Sequence, residues 1–187
     1  KSESVINSSY NSRLDLYAEH VIRGDITTAD GTVLAKTTVS DDGSETREYP
    51  YGRMFAHVVG YTNNGKGGLE SQYNFNLLRS HSFFLTQIIN DLKNKKNIGD
   101  TLVTTLDYDV QETAYKALGD RDGAVVVMEV KTGKILALVS KPDFDPNTLA
   151  ERWDDIVSDE NSSVLLNRVT SGLYPPGSTF KIFTTLE

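Results

Sequence analysis

Before about residue 97 the apolar positions come in short runs separated by turn residues, the pattern of brief strands and short helices. Asp30-Gly31 stands between Asp25-Ile26-Thr27-Thr28 and Thr32-Val33-Leu34-Ala35. An Asp-Gly pair between β-branched runs predicts a hairpin, because glycine accepts the positive φ of a tight turn. Residues 39–45 read as a polar loop, and Met54, Phe55, Val58, Val59 and Tyr61 recur at helical spacing. Residues 63–68 form a glycine-rich break. Residues 69–78 then predict a helix with Leu69, Tyr73, Asn76 and Leu77 on one side. The polar stretch 91–97 reads as a solvated turn or linker, and the chain divides near Asn97-Ile98-Gly99.

The second half has longer elements. A strand over 101–106 leads to Asp107, which predicts an N-cap for a helix whose buried stripe is Val110, Ala114, Tyr115 and Leu118, ended by Gly119. Residues 123–130 and 134–140 are rich in β-branched side chains, and Gly133 between them predicts an antiparallel hairpin. Val125, Val126 and Val127 in a row predict a strand covered on both faces. Residues 143–147 read as a turn, 151–157 and 164–169 as helices, and a last helix starts near Thr179. The fold class expected is α+β.

Composition narrows this picture. The 187 residues make one large domain or two small ones, with 38% hydrophobic and 24% charged residues, enough to bury a core. A net charge of −7, with no long basic run, excludes a nucleic-acid surface. With no cysteine there is neither disulfide nor thiolate chemistry. No apolar run approaches the ~18 residues of a membrane-spanning helix. His20, His57 and His81 stand apart, with no spacing that suits a metal, and no cofactor is expected. His57, beside Phe55 and Val58, reads as a satisfied, partly buried histidine. Asp41-Asp42 and Asp154-Asp155 read as solvated pairs, and Glu70 as a structural residue at a helix start.

The candidate chemistry lies at Ser178-Thr179-Phe180-Lys181, directly after Tyr174-Pro175-Pro176-Gly177. Pro176 and Gly177 interrupt any earlier helix and let the chain turn. Side chains three apart on a helical turn share a face and lean toward its N-terminus, so Lys181 can reach toward the Ser178 hydroxyl. A serine hydroxyl needs such a base to become a nucleophile. The positive end of the helix favours the alkoxide and the oxyanion that follows. This pattern suits acyl transfer, with Ser178 as nucleophile and Lys181 as general base. Four residues of common types are weakly specific by themselves.

The longer string YPPGSTFK at 174–181 resembles the active-site segment of penicillin-binding proteins, whose signature is S-x-x-K. RGDITTADGTVLA at 23–35 is similar to the R-G-x-I-x-D-R-x-G-x-x-L-A segment of the class B branch, the monofunctional transpeptidases. YPYGRMFAHVVGY at 49–61 and GLESQYN at 68–74 resemble two further segments of that branch's pedestal. GDTLVTTLDYDVQ at 99–111 and the run 123–147 resemble the start of its transpeptidase domain. Five upstream segments in the family's order are far more specific than any one. Thr28 and Ala29 depart from the family's Asp and Arg, which puts a pedestal salt bridge in doubt.

The resemblance implies a mostly-β or mixed pedestal (dimerisation-type) domain at 1–98 and the first part of a penicillin-binding, β-lactamase-like domain at 99–187. It implies a peptidoglycan D,D-transpeptidase acting on D-Ala-D-Ala stem peptides through an acyl-serine, with β-lactams acylating the same residue. It also implies a bacterial extracytoplasmic location behind an N-terminal anchor helix outside this chain. The partners implied are a membrane glycosyltransferase and other cell-wall machinery. The family's second and third motifs, S-x-N and K-T-G, follow the serine and are not found after Ser178 here, so this stretch alone is expected to be inactive. Ser9-Tyr10-Asn11 and Lys131-Thr132-Gly133 spell those motifs but precede the serine; the second reads as a hairpin turn. Arg23-Gly24-Asp25 spells a cell-adhesion tripeptide but belongs to the pedestal segment. Residues up to about 97 are expected to fold alone, and the later part to be partly disordered or held by a second copy, a homodimer through exchange or through pairing at the open edge of the 123–140 hairpin. The alternative readings are a β-lactamase or penicillin sensor, against which the pedestal counts, and a non-catalytic interaction module.

Overall fold

The structure, a computed structural model, describes residues 20–81 and 96–185. Strands β1 (Val21–Ile22) and β2 (Ile26–Thr27) start the pedestal. The Asp30-Gly31 turn then returns the chain into β3 (Val33–Val39), which pairs antiparallel with β2 and with β4 (Glu45–Glu48). A 3₁₀ turn at Gly52–Phe55 runs into α1 (Ala56–Val59), followed by α2 (Gly68–Gln72) and α3 (Asn74–Leu77). The chain comes back as β5 (Asn97–Ile98), parallel to β1, and β6 (Leu102–Val103), parallel to β2. The four-stranded sheet therefore has the order β4-β3-β2-β6, closed by residues far apart in sequence.

Backbones cross closely at this return. A side chain at Gly24 would put its Cβ 2.1 Å from the Asp100 carbonyl oxygen, and one at Gly99 would meet the Leu77 oxygen at 1.9 Å. Only glycine permits that approach. The crossing is stitched by hydrogen bonds from Gly24 N to Leu77 O and from Gly99 N to Ile22 O, both 2.8 Å. Ile26, Leu34, Ala35, Tyr49, Phe55, Val59, Leu77 and Leu106 form the core beneath it.

One charged node joins the pedestal pieces. Glu70 is fully buried, yet both carboxylate oxygens are taken: Arg23 Nε donates to Oε2 at 2.5 Å and Arg47 Nε to Oε1 at 2.8 Å. Arg23 also donates to Asn74 Oδ1 at 2.6 Å and to the Glu70 carbonyl at 2.6 Å. Arg47 reaches the Gly24 carbonyl at 2.8 Å and Thr37 Oγ1 at 3.0 Å. A buried carboxylate is tolerable only with such complete pairing. Burial, then the Glu70 charge, push the Tyr49 hydroxyl well above its ordinary pKa. Desolvation pulls Arg23 down, against the opposing pull of Glu70.

The node explains a correction to the expected 69–78 helix. Two short helices replace it, divided at Tyr73 (φ −110°, ψ 23°). Tyr73 and Asn76 are exposed, whereas Glu70, Asn74 and Leu77 are buried. Polar Glu70 and Asn74 face inward because Arg23 waits there, which hydrophobic periodicity does not register. Thr28, where the family's Asp was missed, hydrogen-bonds Asp30, and Thr32 N donates to its hydroxyl at 2.9 Å.

The second half opens on α4 (Tyr108–Leu118). Asp107 caps it as expected, accepting from Val110 N at 3.0 Å. Its most buried side chain is Gln111, which donates to the carbonyls of Met54 (2.7 Å) and Leu138 (2.9 Å) and accepts from Leu138 N (2.8 Å). The helix packs on the hairpin of β7 (Gly123–Met128) and β8 (Ile135–Lys141) through Ala114, Ala137 and Val139. Burial alternates along β7, and Val126 is 42% exposed. The expectation of a strand covered on both faces is therefore not met: α4 covers the face bearing Val125 and Val127, and the face bearing Val126 and Met128 stays open among the described residues. A 3₁₀ turn at Leu149–Arg152 and α5 (Trp153–Ser158) follow. The expected helix at 164–169 is largely absent. Leu166 O accepts from Ser140 Oγ at 3.2 Å, and the chain coils only at α6 (Arg168–Ser171).

Candidate active site

Ser178 lies in a 3₁₀ turn, Gly177–Phe180, that runs straight into α7 (Lys181–Thr184). The turn begins at Gly177 with φ 54°, a backbone state open to glycine at little cost, after Pro176 in helical conformation. Thr179 secures the start, its N donating to Pro176 O at 3.2 Å and its hydroxyl bonding the same oxygen. Lys181 N–H donates to the carbonyl of Ser178. Ser178 and Lys181 therefore stand one turn apart in the backbone, the serine inside the 3₁₀ turn and the lysine at the first position of α7. The spacing legible in the sequence is thus the spacing of one turn.

Both side chains are exposed, and among the described residues neither makes a side-chain hydrogen bond. Around them Leu173, Tyr174, Phe180, Ile182 and Phe183 are exposed too, with Phe180 and Phe183 rings 5.7 Å apart. Tyr174 folds back over Gly172, where a Cβ would stand 2.5 Å from its ring. Serine with a lysine at one turn, free of competing partners, can lose its proton to the amine and attack a carbonyl.

The other candidates separate cleanly. Lys131-Thr132-Gly133 is the β7–β8 turn, with Gly133 at φ 74° and its N donating to Glu129 O at 2.8 Å. Ser9-Tyr10-Asn11 lies outside the described residues. His57 is buried, its Nε2–H donating to the Pro142 carbonyl at 3.1 Å and its ring edge-on to Phe144. Burial, partly offset by that carbonyl, lowers its pKa below the ordinary 6.5. His81 pairs with Asp100, and His20 is exposed. Among the described residues no three acidic or histidine side chains are placed to hold a metal ion.

Sequence reasoning missed the residues that join the two halves. Asn147 clamps Tyr49, accepting from its N at 2.9 Å and donating to its O at 3.0 Å. Asp143 takes Arg53 Nη1 at 3.1 Å and the Tyr115 hydroxyl at 2.6 Å, and burial with that neighbour pushes the Tyr115 hydroxyl upward. Asn167 donates to the His57 carbonyl at 3.2 Å. Amides in turns carry no periodic signal, so only the fold reveals them.

A family model described as the penicillin binding protein A dimerisation domain matches residues 23–102, and one described as the penicillin binding protein transpeptidase domain matches 123–187. The chain belongs to the penicillin-binding proteins. It is 38% identical to the peptidoglycan D,D-transpeptidase PbpA of Mycolicibacterium smegmatis, a match that takes in 92% of this chain and 38% of that protein. It is 34% identical to the MrdA enzyme of Acinetobacter baumannii over 73% of this chain and 25% of that one. The chain therefore spans well under half the length of these curated relatives. Among solved structures, penicillin-binding protein A from M. tuberculosis as an imipenem acyl-enzyme complex superposes with a TM-score of 0.79 at 33% identity, covering 89% of this chain and 42% of that one. The D,D-transpeptidase domain of an Eggerthella lenta peptidoglycan glycosyltransferase gives 0.74 at 37% identity, over 88% of this chain and 36% of that one. The architecture is that of a class B penicillin-binding protein: an α+β pedestal followed by the start of the transpeptidase domain.

Proposed function

We propose that Ser178 is the residue acylated when the full-length gene product cross-links peptidoglycan. Lys181 takes the Oγ proton as the serine attacks the D-Ala carbonyl of a D-Ala-D-Ala stem peptide. The tetrahedral intermediate collapses by breaking the bond to the terminal D-alanine, whose nitrogen leaves with that proton. An amine of a neighbouring stem peptide then attacks the ester and restores the serine. β-Lactams open on the same hydroxyl. The observation that carries this reading is Ser178 in the 3₁₀ turn with Lys181 one turn further on, at the first position of α7, within the stretch matched by the transpeptidase model. The names of the relatives, and a β-lactam acyl-enzyme complex of one of them, support it.

The pedestal serves as a spacer and docking body, with its division from the catalytic part near residue 98. The site of action is the outer face of the bacterial membrane; among the described residues no helix is long and apolar enough to span it. Partners would be the glycan-polymerising enzyme and other wall machinery, and a homodimer through the exposed edge of β7. An isolated polypeptide of these 187 residues, which contain no S-x-N or K-T-G after Ser178, would not turn over. Loss of even one oxyanion donor costs on the order of 10²–10³ in rate.

Labelled penicillin applied to the full-length gene product, followed by peptide mapping, should mark the peptide bearing Ser178. Ser178→Ala should remove the label. Label on another serine, or full labelling of the variant, would sink the assignment.

A further inference from the structure

We infer that Asn167 is a positioning residue for the nucleophile, tying the segment that carries Ser178 to the pedestal. The inference rests on the nucleophile assignment above. Asn167 stands between the two halves and uses three of its groups at once. Its Oδ1 caps α6, accepting from Val169 N at 3.0 Å. Its backbone carbonyl accepts from Ser171 N at 2.9 Å. Its Nδ2 crosses to the pedestal and donates to the carbonyl of His57 at 3.2 Å. A cap needs only the oxygen. The amide donor is an addition that capping does not explain.

The receiving end is rigid. His57 is buried within α1, its ring fixed by the Pro142 carbonyl and Phe144. Neighbours of Asn167 hold the same spot from the other side. Ser140 Oγ donates to Leu166 O at 3.2 Å and accepts from Arg168 N at 3.0 Å, and Arg168 Nη2 donates to Ser163 Oγ at 2.8 Å. Residues 166–168 are thus pinned to both β8 and the pedestal. Beyond them the hydrogen bonds of residues 172–185, among the described residues, stay within that segment: Thr179 and Thr185 bond to Pro176 and Lys181. Gly172 has no room for a side chain between Arg168 O and the Tyr174 ring, so the connection from α6 is a tightly folded one. The place from which Ser178 is presented is set at Asn167, and acyl transfer is sensitive to small displacements of the reacting group.

Two substitutions separate positioning from capping. Asn167→Ser and Asn167→Asp keep an oxygen that caps a helix, and both remove the amide donor; the aspartate also sets a negative oxygen against the His57 carbonyl. In the full-length gene product, acylation by a labelled penicillin is followed by stopped flow to give the acylation constant k2 and the pre-covalent dissociation constant separately. We expect k2 to fall about tenfold in Asn167→Ser and further in Asn167→Asp, with the dissociation constant within about twofold of the parent. Melting temperatures should stay close to the parent's. If k2 is unchanged in both variants while Ser178 still takes the label, Asn167 is a cap only and the inference is overturned. If k2 and dissociation constant shift together in step with lost native protein, it is overturned as well. A parent that never labels Ser178 removes the nucleophile assignment itself, a failure the mapping shows before any variant is made.

Discussion

The Glu70 node and the Ser178 turn are both polar sites, and they are built in opposite ways. Glu70 is fully buried and both oxygens are bonded to arginines. Ser178 and Lys181 are exposed and their side chains bond nothing among the described residues. An unpaired charge taken out of water costs several kcal/mol, so both Glu70 oxygens have partners, and of the node's polar atoms Arg47 Nη2 is left buried without one among the described residues. A nucleophile whose hydroxyl were equally satisfied would have nothing left to give a substrate. The density of partners thus separates the polar group that holds the pedestal together from the pair proposed to do chemistry.

The sharpest way to break this contrast is at the turn. In the full-length gene product, Lys181→Ala should reduce the acylation rate by at least about 10³-fold, within the range that general-base removal produces. Its melting temperature should barely move, since an exposed side chain without partners contributes within about 0.5 kcal/mol. Acylation within tenfold of the parent would make Lys181 a packing residue.

The node should behave in reverse. Glu70→Ala leaves two guanidinium groups facing each other without their shared anion, and a loss of about 3–5 kcal/mol is expected in denaturant unfolding. A loss under about 1 kcal/mol would mean that water replaces the carboxylate and that the pedestal does not depend on it. Any labelled-penicillin defect in this variant should scale with the unfolded fraction alone.

The smallest effect is expected at His57, which is buried like Glu70 but neutral. Its folded pKa lies below the ordinary 6.5, because burial disfavours the cation more than the Pro142 carbonyl and Asp143 favour it, with Arg168 adding to the fall. Above pH 6.5 both the folded and the unfolded state hold it neutral. As the pH drops below that value the unfolded chain takes up the proton first, so stability declines. The slope contributed by this one group is at most about 1.4 kcal/mol per pH unit. His57→Gln should flatten the decline between pH 6.5 and 5; an unchanged slope would show that the imidazole is protonated in the fold.

Much of this was visible in the chain. The hairpins at Asp30-Gly31 and Gly133, the Asp107 cap and the one-turn spacing of Ser178 and Lys181 all depend on neighbours within a few residues, and local chemistry decides them. The family segments added order and a likeness, and their function followed from that. What stayed hidden has one cause. Glu70 and Asn74 turned inward, splitting a predicted helix, because Arg23 in the β1–β2 link and Arg47 on β4 arrive from 47 and 23 positions before Glu70. Val126 stayed exposed because coverage of a strand depends on what packs there, not on its own side chains. Residues 164–169 declined to coil because Ser140, from β8, claimed the Leu166 carbonyl.

Residue types and short spacings therefore determined the turns, the cap, the α+β class and the one-turn spacing of Ser178 and Lys181. Only the tertiary structure decided which polar side chains would be buried, since burial of a charge requires a partner and partners come from anywhere along the chain. It also decided how the halves are joined, through Asn147 on Tyr49, Gln111 on Met54 and Asn167 on His57, bonds that span 98, 57 and 110 positions. A hydrogen bond acts over about 3 Å of space and leaves no trace at such a separation in sequence.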